Sequence, residues 1–204
     1  AGGLDPAIPR HIRSLPYHSE ARGKGIAMKR IVVVIVSLIA AASVASAQEL
    51  ARSSTAPTVD GVAAAGEYLT WLERSDIRVG LSLSADGSTL YAAVDAPTAG
   101  WVAVGLGSLR MDGAYFVLAY VDAGGAFVSE ETGYGRSHRP NADKRLKAQA
   151  VREANGRTTL EFAVPAVGLA DGTSLESLYA YGRKDDRVSK HVRYVTFELP
   201  IAGR

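Results

Sequence analysis

No cysteine occurs among the 204 residues. That excludes disulfides, thiolate-held zinc, iron–sulfur clusters and covalent cofactor attachment through C-x-x-C-H, so any cofactor is held noncovalently. Methionine and histidine are almost as scarce, at two and four residues. Beyond residue 47 only Met111, His138 and His191 remain. A surplus of charge of one sign is also missing. The 23 Lys and Arg stand against 21 Asp and Glu, and with six of the former and two of the latter in residues 1–47 the rest carries a net charge of about −2. Without a basic surplus, or a Lys/Arg run interleaved with aromatics, nucleic-acid binding lacks its electrostatic footprint. No G-x-S-x-G turn supports a Ser-His-Asp hydrolase, and Gly105-Leu106-Gly107 lacks the third glycine and the following helix of a phosphate-binding loop.

What is present begins with a secretory pattern. Lys29 and Arg30 precede an apolar run over 31–42, and Ala45-Ser46-Ala47 offers a small-residue cleavage site, so residues 28–47 read as a signal peptide. The run is shorter than the about 20 apolar residues a membrane span needs. Export to a periplasmic or secreted location follows, with no stable membrane span after cleavage. Residues 1–27 carry Gly, Pro and basic residues without hydrophobic periodicity and read as an upstream leader outside the native protein. Residues 48–57 read as a short linker, and 58–204 as one domain with a single core.

That domain has strand punctuation throughout. Ile77, Val79, Leu81 and Leu83 alternate with smaller or polar residues, and Asp86-Gly87 turns the chain toward a strand over 90–94. Further strands are predicted over 101–106, 126–129, 146–153, 158–164, 178–181 and 193–199, with Asn155-Gly156 as a hairpin signal. Residues 114–121 are near-continuously apolar, which predicts a strand buried on both faces. Many short strands and no long amphipathic pattern argue for an all-β, antiparallel sandwich or barrel. A helical turn is allowed near 165–169.

The segment Gly100-Trp101-Val102-Ala103-Val104-Gly105-Leu106-Gly107, followed by Met111, Asp112-Gly113-Ala114 and an apolar strand, resembles the core motif of DOMON domains. A second, looser likeness is Tyr179-Ala180-Tyr181-Gly182, the Asp185-Asp186 loop and His191 before the last strand. The resemblance spans roughly 60–199 and implies an immunoglobulin-like antiparallel β-sandwich that binds haem or sugars. Carried over from the haem-binding members, Met111 and His191 would be the axial ligands of a noncovalent b-type haem, and the function an electron carrier serving a redox partner protein, not itself an enzyme. A thioether and an imidazole saturate the iron and raise its potential. Many members have an acidic residue where this chain has Tyr115, so the pocket edge is expected to differ.

Each candidate also has a plainer reading. Met111 is equally a gap-filling methionine, although Arg110, Asp112 and Gly113 around it suit a loop. His191 is equally a solvated loop histidine. His138, in the glycine-rich basic loop after Glu130-Glu131, is an alternative axial ligand or an exposed residue, and Arg136 and Arg139 suit haem propionates. Lys184 and Lys190 are weaker ligand candidates. Trp71, Trp101, Tyr115, Phe116 and Tyr120 offer an aromatic wall or ordinary core, and alternation allows only one of Tyr115 and Phe116 to line a given pocket. The competing function is a haem-free carbohydrate or small-ligand module, with Tyr134, Tyr181 and Tyr194 as stacking platforms. A bare metal held by His138, His191 and Glu130 is a last reading.

Overall fold

Alternating and apolar runs pair into two six-stranded sheets. The computed structural model describes residues 48–170 and 172–203; the leader and signal-peptide readings at 1–27 and 28–47 fall outside them. In chain order the strands are β1 (Arg52–Ser53), β2 (Thr70–Arg74), β3 (Ile77–Ser84), β4 (Thr89–Ala96), β5 (Val102–Leu106), β6 (Tyr115–Asp122), β7 (Gly125–Tyr134), β8 (Ser137–Pro140), β9 (Ala148–Ala154), β10 (Arg157–Pro165), β11 (Ser174–Tyr181) and β12 (Arg193–Pro200). No helix occurs among the described residues, and none is long and apolar enough to cross a membrane. One sheet runs β1-β3-β4-β10-β9, with β2 also on β3; the other runs β12-β11-β5-β6-β7-β8. Every pairing is antiparallel except the two-residue contact of β1 with β3. The protein is an all-β antiparallel sandwich.

Local chemistry fixes the hairpins. Asn155 and Gly156 both take positive φ, 54° and 71°, matching the right-handed twist of the β9–β10 hairpin. Ser75 and Asp76 do the same at 52° and 67° between β2 and β3, where no glycine signals a turn; β2 was therefore not predicted. The expected linker over 48–57 is instead part of the sandwich: Leu50 is fully buried, bridges to Ile201, and β1 pairs with β3. The turn near 165–169 is present, with Leu169 and Ala170 both donating to the Ala166 carbonyl at 2.9 and 2.7 Å.

The inner faces meet around Leu81, Leu83, Val94, Val104, Val117, Leu160, Phe162 and Tyr179. Burying each large side chain of this set stabilises the fold by about 1.5–3 kcal/mol. Two buried carboxylates brace the periphery. Glu161 accepts from the backbone N–H groups of Asp60, Gly61 and Val62 and from the Tyr68 hydroxyl. Glu130 accepts from the Tyr115 hydroxyl at 2.6 Å and from the Arg145 and Leu146 N–H groups, pinning the crossing from β8 to β9.

The strand β6 explains why a site exists. Tyr115, Val117 and Ala119 enter the inner core, whereas Phe116, Leu118 and Tyr120 belong to a second apolar cluster with Trp101, Ala103, Leu178 and Ala180. That cluster lies on the outer face of the second sheet. An antiparallel sheet leaves such a face polar unless something covers it, and here two loops do so incompletely.

Candidate functional site

Between those loops and the sheet lies a cavity of about 790 Å³, within the range of small-molecule and cofactor pockets. Ala103, Phe116, Leu118, Leu178 and Ala180 floor it, with Trp101 at one end. Gly105 deepens the floor: a Cβ there would stand 2.8 Å from both Leu178 and Phe116 side-chain atoms.

Residues 107–114, between β5 and β6, form the wall carrying Met111. Ser108 Oγ accepts from the Arg110 N–H at 3.1 Å and donates to the Asp112 carbonyl at 3.2 Å. The loop then docks on the β7–β8 hairpin, where Gly113 N–H donates to the Gly133 carbonyl at 3.2 Å and Gly135 N–H to Asp112 Oδ1 at 2.8 Å. Only glycine fits at 133, because a Cβ would lie 1.6 Å from the Met111 carbonyl oxygen.

Residues 182–192, between β11 and β12, form the opposite wall and carry His191. Glycine again sets the approach: a Cβ on Gly182 would meet the Trp101 indole at 2.1 Å, and one on Gly100 the backbone of 182–184 at 2.5–2.6 Å. Trp101 Nε1 donates to Ser189 Oγ at 2.9 Å. Asp186 Oδ1 accepts from the Val188 and Ser189 N–H groups at 3.0 and 2.6 Å, and the bond from Ser189 leads the effects that hold its carboxyl below the usual range. The glycines and tryptophan of the Gly100-Trp101 motif thus build the wall rather than the chemistry.

A clasp closes the cavity's edge. Arg187 reaches from this loop to β7, where its Nε donates to Glu131 Oε1 at 2.8 Å, and the other carboxylate oxygen accepts from His138 Nδ1. Glu131 is fully buried. Desolvation alone would raise its pKa, but the hydrogen bonds from His138 and Arg187 together outweigh it and hold the carboxyl below its ordinary value. His191 is shifted down, first by desolvation and then by Lys190, which favours the neutral imidazole. Its ring stands edge-on to Tyr194 with centroids 5.1 Å apart.

Met111, His191, His138, Trp101 and Arg136 therefore all line one cavity. Tyr115 does not. It faces the inner core and bonds Glu130, and its alternation partner Phe116 takes the pocket position. Arg139 lies over the Tyr134 ring instead of the cavity, Lys190 lines it, and Lys184 does not. Tyr181 is buried in the core and offers no stacking platform, whereas Tyr194 is 60% exposed at the mouth. Among the described residues no three His, Cys, Asp or Glu are grouped to hold a metal ion; Glu130, on the inner face, is on the wrong side of the sheet to join the histidines. The missed residues are Glu131 and Arg187. The signal for Glu131 was an acidic pair beside a predicted strand, which, within a strand, puts one carboxylate on each face; Arg187 had none.

The family model described as DOMON domain matches residues 73–178, just over half of the chain. The chain belongs to the DOMON domain family. Similar solved structures include the cytochrome b domain of pyranose dehydrogenase from Coprinopsis cinerea, at 14% identity and a TM-score of 0.53, covering 64% of this chain and 80% of that one. The cytochrome domain of Myriococcum thermophilum cellobiose dehydrogenase matches over the same shares with the same TM-score, at 12% identity. At these identities the likeness is one of fold. No curated protein matches in sequence. In this DOMON domain the family match spans the Met111 wall, the pocket floor except Ala180, and the β7–β8 hairpin, while His191 also lies beyond it.

Proposed function

We propose that the pocket holds b-type haem noncovalently between Met111 and His191, and that the protein is an exported electron carrier for a partner redox protein. The observation carrying this reading is that the thioether and the imidazole, 80 residues apart in the sequence, line one apolar cavity from opposite walls. Two such donors serve a metal that brings four ligands of its own, which a porphyrin does. The flat floor of Ala103, Phe116, Leu118, Leu178 and Ala180 suits a planar apolar ligand. Arg110, Arg136, Arg187 and Lys190 also line the cavity, and no carboxylate does, which suits a ligand bearing carboxylates. The cytochrome domains among the fold neighbours support the same reading.

Haem, when bound, supplies one-electron Fe(III)/Fe(II) chemistry. Met111 and His191 would hold the iron between them, leaving no site for a further ligand and favouring electron transfer, while Trp101, Phe116 and Leu178 would exclude water. Met111 Sδ, a soft neutral donor, favours the reduced state. His191 binds as the neutral imidazole that its burial and Lys190 favour. Location outside the cytoplasm rests on the secretory pattern of residues 28–47.

Absorption spectra of the purified protein supplied with haem, oxidised and dithionite-reduced, test the reading. Sharp reduced α and β bands that collapse in His191→Ala are expected. A folded protein that stays colourless overturns it.

A further inference from the structure

We infer that His138 is a second iron-ligating imidazole of this pocket, oriented by Glu131 and standing on the same wall as Met111, so that it takes the Met111 coordination position when the thioether is removed. The inference rests on the haem reading above.

Glu131 projects from β7 onto the outer face, opposite Phe116 in the β6 register, and its side chain is fully buried. An ionised carboxylate there requires partners, and it has two: Arg187 on one oxygen and His138 Nδ1 on the other. Arg187 alone neutralises the charge, so the imidazole is not needed for balance. A carboxylate only accepts, hence Nδ1 carries the proton and the Nε2 lone pair of the neutral ring is left for another partner. His138 lines the cavity with its side chain 25% exposed, above the Phe116 ring at a centroid distance of 6.4 Å. A carboxylate on one ring nitrogen is the arrangement that fixes metal-bound histidines and strengthens them as donors.

The wall assignment follows from register. His138 pairs with Gly133, and the Met111 carbonyl packs on that glycine. His191 belongs to the wall beside β12, against Tyr194. Met111 and His138 thus approach from the β7–β8 side, and His191 from the β11–β12 side. Where the thioether is removed no Sδ–iron bond forms, and the Nε2 lone pair of His138 would hold the iron in its place. His138 keeps its Nδ1 proton on Glu131, and no electron is gained or lost.

The test uses the full chain loaded with haem. Met111→Leu, which keeps the apolar volume, is expected to stay six-coordinate and low-spin, to lose the weak near-infrared thioether–iron band, and to move to a lower potential. Met111→Leu with His138→Ala is expected to become five-coordinate and high-spin. Met111→Leu that binds haem but is five-coordinate overturns this inference and leaves the haem reading standing. Wild-type protein that takes up no haem overturns both. In the haem-free protein, ring-nitrogen NMR of His138 is expected to report the Nδ1–H tautomer; an Nε2–H tautomer there also overturns the inference.

Discussion

Trp101 Nε1 donates to Ser189 Oγ at 2.9 Å, so the ring at one end of the pocket floor also holds the loop that carries His191. The indole is otherwise closed in by Gly182, and its hydrogen bond ties the wall to the sheet beside the bond from Arg187 to Glu131. Trp101→Phe and Ser189→Ala are each expected to cost about 0.5–1.5 kcal/mol. Hydrogen exchange across residues 183–192 should quicken in both, while the inner strands β4 and β10 keep their protection.

Gly133→Ala is expected to dislodge Met111. The added Cβ would stand 1.6 Å from the Met111 carbonyl, a clash with backbone that overpacking energetics put at about 1–3 kcal/mol or more. Gly124→Ala is the matched control, since its nearest neighbour is the Asp122 side chain at 3.1 Å. Thermal melts should separate the two variants, and only Gly133→Ala should alter the iron's thioether band.

The inner core and the pocket floor should respond differently to truncation. Leu81→Ala empties volume in the inner core and is expected to cost about 2–5 kcal/mol. Leu118→Ala merges its lost volume with an existing cavity, and is expected to fall at the low end of that range while weakening haem retention. Denaturant melts with and without haem distinguish them.

The Glu131 clasp should give the pocket an acid limit. Its carboxyl lies below the ordinary value of 4.5 in the folded protein. The stabilisation is therefore present above the unfolded-state pKa and is lost as pH falls through the lower folded value. Melts of wild type and Glu131→Gln should differ most above pH about 5 and converge as the wild-type carboxyl protonates. A gap between them that stays constant down to pH about 2 would contradict this.

Periodicity made the sandwich legible because most strands carry it on their own residues. The continuous apolar run of β6 marked a strand buried on both faces, and the second face proved to be the pocket floor. What escaped were elements without such a signal. The strand β2 turns through Ser75-Asp76 with no glycine, β8 is three polar residues and a proline held by its partner, and β1 is two residues long. At the site, Met111 and His191 were singled out by resemblance, and both line the cavity. Alternation allowed one of Tyr115 and Phe116 into the pocket without saying which; that choice depends on the register between β5 and β6. Glu130-Glu131 fell just past the strand predicted over 126–129, but β7 extends through them to Tyr134, and inside a strand adjacent carboxylates face opposite sides. Each therefore found partners distant in sequence, among them Tyr115 for one and Arg187 for the other.

The most direct test of Met111 and His191 as a joined pair is the near-infrared spectrum of the ferric, haem-loaded protein. A weak thioether–iron band in wild type, absent from Met111→Leu and from His191→Ala, is the expected result. Haem bound in wild type without that band would contradict Met111 as a ligand, and failure to take up haem at all would contradict the pocket's assignment.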